Sequence, residues 1–381
     1  MRICFITSEV FLGKRRGGFG KLVRAVGREL IKRGFDVSVI CWRGPGEDSV
    51  MELDGMKILS YPYDLTTHSS LKHAIDYAKV IPLIRKANAD VYISIDCMVE
   101  TYIAQKIMPN SKHIIWVQDP FPYEKQDYVT LAKVDPLYKL HRFNLLKFGL
   151  TLSLCREAYK RADIILTQAL YFYHYKLKRL FRIDRNKVIY LPNPVEYIPS
   201  EKSIRKSEKP LLCFLGRLDP VKRYWIVLGL AKEFPEIEFL IIGSPSLPIY
   251  EKLYRNIVKK YRVPDNLRLL GFLDGKEKTE VLSRSWILIL PSIREALPLV
   301  FLEALAHKCA LLSSVNPDGL TRRFGYWAQK DDFAKGLEWL LENNRWKILG
   351  EEGYKYVREN HNLEKIINEL ISQLKNLAEN S

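Results

Sequence analysis

The sequence predicts an α/β protein built from two doubly wound, Rossmann-like domains. Three observations predict it. Short apolar, β-branched runs recur along the chain, separated by amphipathic stretches of helix length. That alternation breaks once, at the polar "VEYIPSEKSIRKSEK". The chain has 381 residues, long for one core and comfortable for two.

The strands follow in order. The first half carries "RICFITS", "DVSVICW", "MKILSYP", "VYISID", "HIIWVQ", "DIILTQ" and "VIYLPN". The second half carries "LLCFLGR", "IEFLIIG", "LRLLGF", "WILILPS" and "ALLSSV". Runs that are apolar on both faces suit parallel strands covered by helices on either side. The pieces between them, such as "GKLVRAVGRELIKRG", have helical spacing and end in glycine. "FNLLKFGLTLSLC" reads as a core helix, and "LEKIINELISQLKNL" is amphipathic. The expected domains are 1–197, a linker at 198–209, and 210–360, the two domains facing a central cleft. A C-terminal helix at 361–381 is expected to pack back toward the first domain.

Hydrophobic residues make up 47% and charged residues 27%, which places the chain among ordinary globular proteins. The opening residues lack the long apolar region and cleavage site of a signal peptide, and no apolar run reaches membrane-span length. Cys4, Cys41, Cys97, Cys155, Cys213 and Cys309 are scattered without a C-x-x-C pair, the pattern of packed, reduced thiols in a cytoplasmic protein. The net charge of +16 favours an anionic partner: nucleic acid, an acidic membrane surface or a phosphorylated ligand.

Four segments carry chemistry. In "SIREALPLVFLEALA", Pro298 is expected as the first residue of a helix, with the amides of Leu299, Val300 and Phe301 making a seat for phosphate. Glu303 shares that helix face and leans toward its N-terminus, so it can accept hydrogen bonds from a ribose diol. A solvated helix glutamate is the competing reading. In "FLGRLDPVKRYW", Arg217 and Lys222 follow a strand end, where two cations would neutralise a diphosphate leaving group, with a solvated basic loop as the competing reading. In "GKRRGGFGKLV", Gly17, Gly18 and Gly20 open a helix after the first strand and permit close backbone approach to an anionic or sugar ligand. A tight structural turn competes there. In "HIIWVQDPFPYE", Asp119 is placed to orient a reacting hydroxyl or take its proton, with loop capping as the alternative. No D-x-D, G-x-S-x-G or HExxH occurs, so neither a carboxylate-held metal nor those hydrolytic sites are indicated.

With these pieces assembled, the chain resembles the retaining glycosyltransferase family four (glycosyl transferases group 1), which has the GT-B fold. The resemblance rests on "GGFGKLV…LIKRGFDVSVI", "RADIILTQ", "YLPNPVE", "FLGRLDPVKR", "LIIGSP", "LLGFLD" and the E-x7-E element "LPSIREALPLVFLEALA". It implies a metal-independent hexosyltransferase-like enzyme (EC 2.4) that needs no cofactor beyond a nucleotide-sugar co-substrate, a UDP- or GDP-sugar. By matching positions, Arg217 and Lys222 would hold the donor diphosphate, Glu303 the ribose, and Glu295 would lie at the transferred sugar. Gly18 would approach the donor from the first domain, and Gly271 and Phe272 would border the nucleobase. The sequence departs from the family pattern at Gln118, often histidine, and at Ala296 and Lys308, usually glycine.

Between Arg156 and Lys187 nine basic residues face three acidic ones, with aromatics interleaved. This pattern predicts peripheral contact with an anionic membrane surface, on the inner face of the cell membrane, and fits a lipid-linked or polysaccharide glycan acceptor. A solvated basic face competes. Two other functions compete with glycosyl transfer. One is another GT-B reaction such as sugar-nucleotide epimerisation. The other is a non-catalytic nucleotide-sugar or nucleic-acid binding protein, although no nucleic-acid reader is recognisable.

Overall fold

Each of two parallel sheets grows outward in both directions from its first strand. The computed structural model describes residues 1–10, 17–44, 48–49, 51–63, 75–119, 125–135, 137, 145–170, 177–179 and 181–379, with backbone alone for 125–128 and 145–148. All twelve runs expected as strands are strands.

The first sheet contains β1 (Arg2–Thr7), β2 (Asp36–Arg43), β3 (Glu52–Leu53), β4 (Met56–Pro62), β5 (Val91–Ile95), β6 (Lys112–Val117), β7 (Ile164–Thr167) and β8 (Val188–Tyr190). Their order is β3-β4-β2-β1-β5-β6-β7-β8. Every pairing is parallel except β3 with β4, a two-residue hairpin arm closed by Asp54 and Gly55, both at positive φ. That "DG" turn is the local signal for β3, which the apolar pattern passes over. β1 is central, pairing Ile3 with both Val37 and Val91, and it is buried from Ile3 to Thr7. Helix Gly18–Lys32 covers the sheet through Leu22, Val23, Val26 and Leu30, the spacing that puts one stripe inward.

The expected core helix at 143–155 needs correction. Residues 143–144 lie outside the described residues; the helix spans Leu145–Arg161, and among its described side chains Leu150 is exposed, at 63%, while Cys155, Ala158 and Tyr159 are fully buried. Its C-terminal half meets helix Val99–Ile107, where the Gln105 amide donates to the Ala158 carbonyl at 2.9 Å. Among its described side chains, the fully buried ones lie in its second half.

The second sheet contains β9 (Leu211–Leu215), β10 (Glu238–Ile242), β11 (Leu267–Gly271), β12 (Ile287–Leu290), β13 (Ala310–Ser313) and β14 (Gly325–Trp327). Its order, β11-β10-β9-β12-β13-β14, is the doubly wound 3-2-1-4-5-6 arrangement, with every pair parallel. β9, β12 and β13 are buried at every residue, as strands covered on both faces must be. β14 has only three residues and no strand-like pattern, which is why sequence periodicity misses it.

The described residues divide into two compact units: 1–128, 136–193 and 364–381 form one, and 129–135 with 194–363 form the other. The polar segment after "LPNP" is ordered on the second unit. Val195 donates to the His361 carbonyl at 2.9 Å, Tyr354 donates to the Pro199 carbonyl at 2.8 Å, and Ile198 packs on the core. Lys206, half-buried, donates to the His307 carbonyl at 2.7 Å and contacts that of Ser285, the ends of two helices. Burial lowers its pKa. Helix Leu363–Glu379 buries Ile366, Ile367, Leu370 and Leu374 along one stripe. All six cysteines are unbridged and buried, as packed thiols should be.

Candidate functional site

In a doubly wound sheet, ligands bind beyond the carboxyl ends of the strands where the winding reverses. In the second sheet that point lies between β9 and β12. The loops that leave those two strands carry Arg217 and Lys222 on one side and Glu295 on the other. Topology therefore brings together residues that the sequence alone leaves far apart.

Three backbone or side-chain contacts fasten these loops. The Ile293 amide donates to the Val221 carbonyl at 2.9 Å. Arg223, at φ 47°, donates through Nε to the Pro291 carbonyl at 2.6 Å and grips Asp331 with both terminal nitrogens at 2.6 and 2.8 Å. The Lys222 ammonium contacts the Glu295 carboxylate directly, with side-chain exposures of only 15% and 10%. The pair is thus largely dehydrated, and each charge holds the other in place.

Arg217 reaches further into solvent, at 45% exposure, with Nε 3.3 Å from Asp219 Oδ2. Asp219 is itself buried and accepts from the Ser246 amide at 3.0 Å and its hydroxyl at 2.8 Å. This ties the β9 loop to the β10 loop. The two loops approach closely at Gly243, whose φ is +144° and whose added Cβ would lie 1.8 Å from the Gly216 carbonyl oxygen. Only glycine meets both demands. Gly243 in turn donates to the carbonyl of Gly271, which stands at φ +68° at the end of β11. Phe272 follows, 37% exposed.

Helix Leu299–Ala306 begins one residue later than expected. Pro298 is its N-cap in an extended conformation, and the Phe301 amide donates back to the Pro298 carbonyl at 3.0 Å. The amides of Leu299 and Val300 are the ones no helix carbonyl takes, so the anion seat is narrower than the sequence suggests. Glu303, one turn further on, has Oε1 2.9 Å from the Lys278 ammonium. Its own carbonyl accepts from or faces His307 Nδ1 at 2.7 Å, and burial pushes that imidazole down to about 4. Sequence reasoning does not single out Lys278. Its signal is a lysine on the apolar row of helix Gly275–Arg284.

Lys308 also becomes intelligible. It sits at φ 59°, the left-handed conformation for which glycine is usual. Its ammonium pairs with Glu351 at 2.8 Å and lies over the Tyr354 ring. Nothing in the structure explains Ala296.

The remaining predicted residues lie in the first unit, at its own switch point between β1 and β5 and on the adjoining β6. Gly18 opens helix Gly18–Lys32 and is exposed; the preceding "FLGKRR" stretch, 11–16, lies outside the described residues. Asp119 follows β6, half-buried, its amide donating to Asp96 Oδ2 at 2.6 Å. Asp96 Oδ1 accepts from the Gln118 amide at 2.8 Å, so one buried carboxylate at φ 65° shapes this whole turn. The Gln118 side chain, where the family often has histidine, is closed in a buried amide network with Asn193 and Gln168. It is satisfied within the fold. Of the basic patch, 171–176 and 180 lie outside the described residues, while Arg156, Lys178, Arg182 and Lys187 are exposed.

The comparisons with known proteins bear on the fold and the class. The sequence pattern of the family described as glycosyl transferases group 1 matches residues 199–360. A protein of Haemophilus influenzae, described as an uncharacterized glycosyltransferase, is 24% identical over 93% of this chain and 95% of its own length. Among solved structures, a sucrose-phosphate synthase from Thermosynechococcus elongatus covers all of both chains with a TM-score of 0.74 at 16% identity. Anabaena HepE, in complex with UDP and glucose, covers 98% of this chain and 99% of its own with a TM-score of 0.70 at 13% identity. WaaG, a glycosyltransferase involved in lipopolysaccharide biosynthesis, covers 96% of this chain and 98% of its own with a TM-score of 0.66 at 15% identity.

Two parallel Rossmann-like sheets, matched to these structures over the full length, make this a protein of the GT-B fold, and its class is glycosyltransferase. Residues 199–360 carry the pattern of the glycosyl transferases group 1 family, the retaining family four, whose members draw on nucleotide-sugar donors. No helix among the described residues is long and apolar enough to cross a membrane.

Proposed function

We propose that this enzyme transfers a hexose from a UDP-sugar to a hydroxyl of a glycan or lipid-linked acceptor, with retention at the anomeric carbon. The observation that carries the reading is the convergence of Arg217, Lys222 and Glu295 at the switch point of the second sheet. Arg217 and Lys222 bind the diphosphate and stabilise it as the bond to the sugar breaks. The amides of Leu299 and Val300 add a neutral contribution to the same seat. Glu303 accepts from the ribose hydroxyls, Gly271 and Phe272 border the base, and Glu295 addresses the hydroxyls of the transferred sugar.

The UDP preference is supported by the HepE complexes, and a glycan or lipid-linked acceptor by the part WaaG takes in lipopolysaccharide biosynthesis. In the first unit, Asp119 is assigned to the acceptor hydroxyl and Gly18 to the donor phosphate. The exposed basic residues from Arg156 to Lys187 are assigned to an anionic membrane surface.

A thermal-shift panel of UDP-, GDP- and ADP-sugars tests the donor, because a ligand that binds only the folded state raises the unfolding temperature. UDP-sugars are expected to give the largest shift, lost in Arg217→Ala. A panel with no shift from any nucleotide sugar, or with equal shifts in the variant, refutes the assignment.

A further inference from the structure

Helix Gly275–Arg284 turns Val281 and Leu282 toward the core, and the residue three and four positions earlier on that row is Lys278. A lysine there gives up rotamer freedom and hydration, and its side chain is only 12% exposed. Its ammonium lies 2.9 Å from Glu303 Oε1 and 3.1 Å from Asp274 Oδ1. Asp274 is the N-cap of the same helix, where a carboxylate ordinarily accepts from the first-turn amides. It makes no such capping bond and turns to Lys278 instead. The helix therefore forgoes both an apolar contact and a cap so that one ammonium can bridge two carboxylates.

Those two carboxylates are not equivalent in place. Asp274 directly follows the Gly271–Phe272–Leu273 segment at the end of β11, and Glu303 sits one turn inside the helix whose start seats phosphate. We propose that Lys278 is the positioning residue of the nucleoside subsite: it fixes Glu303 for the vicinal diol of a ribose and so sets selection of ribo- over deoxyribonucleoside diphosphates. The inference rests on the assignment of Glu303 to the ribose. With Oε1 held, the carboxylate plane has one orientation, and a diol meets an acceptor that does not need to be ordered on binding. The bridge to Asp274 couples the base-bordering loop to the ribose ligand through a single nitrogen.

The test is calorimetric titration of the full chain with UDP, 2′-deoxy-UDP and inorganic pyrophosphate. The GDP pair is run alongside, and the ribo/deoxyribo ratio is read on whichever base binds more tightly. Wild type is expected to prefer the ribonucleotide by about tenfold, the worth of one hydrogen bond to a charged acceptor. In Lys278→Met that ratio is expected to fall to about one to twofold, with pyrophosphate affinity changed by less than about twofold, and Lys278→Arg to restore most of it. Asp274→Ala removes one anchor at an exposed position and is expected to lower the ratio partway, giving a second reading should Lys278→Met fold poorly. A ratio in Asp274→Ala and folded Lys278→Met that stays at the wild-type value overturns the proposal, as does an equal loss for all three ligands. A wild type that does not distinguish ribose from deoxyribose sinks the ribose assignment of Glu303 itself, which separates the two failures.

Discussion

The Lys222–Glu295 ion pair predicts that removing a carboxylate from the site strengthens nucleotide binding. In the proposed site a donor diphosphate and Glu295 compete for the same ammonium, and both partners of the pair are largely dehydrated. Replacing Glu295 with glutamine removes a negative charge near the phosphates and leaves Lys222 to the anion. For a unit charge about 6 Å from the phosphate at an effective dielectric constant of about 20, the Coulomb energy is about 3 kcal/mol. Salt and the neighbouring exposed Arg217 reduce this to about 1 kcal/mol, roughly a fivefold gain in UDP affinity. Lys222→Ala should lose at least as much, because Glu295 then faces the phosphates without its partner. The double variant Lys222→Ala/Glu295→Gln should return near wild type, the two opposite effects nearly cancelling, and both single-variant effects should shrink at high salt. Calorimetry of UDP with the four proteins measures it directly. Sugar transfer should fall in every variant, since Glu295 is assigned to the transferred sugar. If Glu295→Gln binds UDP no more tightly than wild type at low salt, the two charges do not share the diphosphate seat.

Two further outcomes follow from the second unit. Burial pushes His307 down to about 4, below its value near 6.5 in an unfolded chain. The unfolded state therefore takes up the proton first, and stability should be lost as pH falls from about 6.5 toward about 4, by at most about 3 kcal/mol. Urea unfolding across that window should show a shallower loss in His307→Leu; an unchanged slope refutes the attribution. Gly243→Ala places a Cβ against the Gly216 carbonyl at a positive φ, and should cost at least about 2 kcal/mol of stability, seen as a lower unfolding midpoint. An unchanged midpoint would mean that the β9 and β10 loops separate easily.

Much of this is legible in the residues. Burial on both faces writes itself into a strand as an unbroken apolar run, which is why "LLCFL", "ILIL" and "ALLS" announce β9, β12 and β13. The E-x7-E spacing likewise marks Glu295 and Glu303 on its own, because a loop and the helix after it are local. What the pattern does not report is partnership. Lys222 and Glu295 are 73 residues apart and meet only because β9 and β12 are neighbours in the sheet. Lys278 and Glu303 lie on two different helices, and no periodicity within either helix names the other.

The same division explains the departures from expectation. An apolar helix such as Leu145–Arg161 shows what it could bury, whereas the exposed Leu150 depends on how much of that helix its neighbours cover. By itself the sequence determined twelve of the fourteen strands among the described residues, and it named side chains whose chemistry suits a nucleotide sugar. Only the tertiary structure decided which of those charges neutralise one another. Hydrophobic periodicity is a property of one segment and its burial, while an ion pair depends on where two distant segments come to rest.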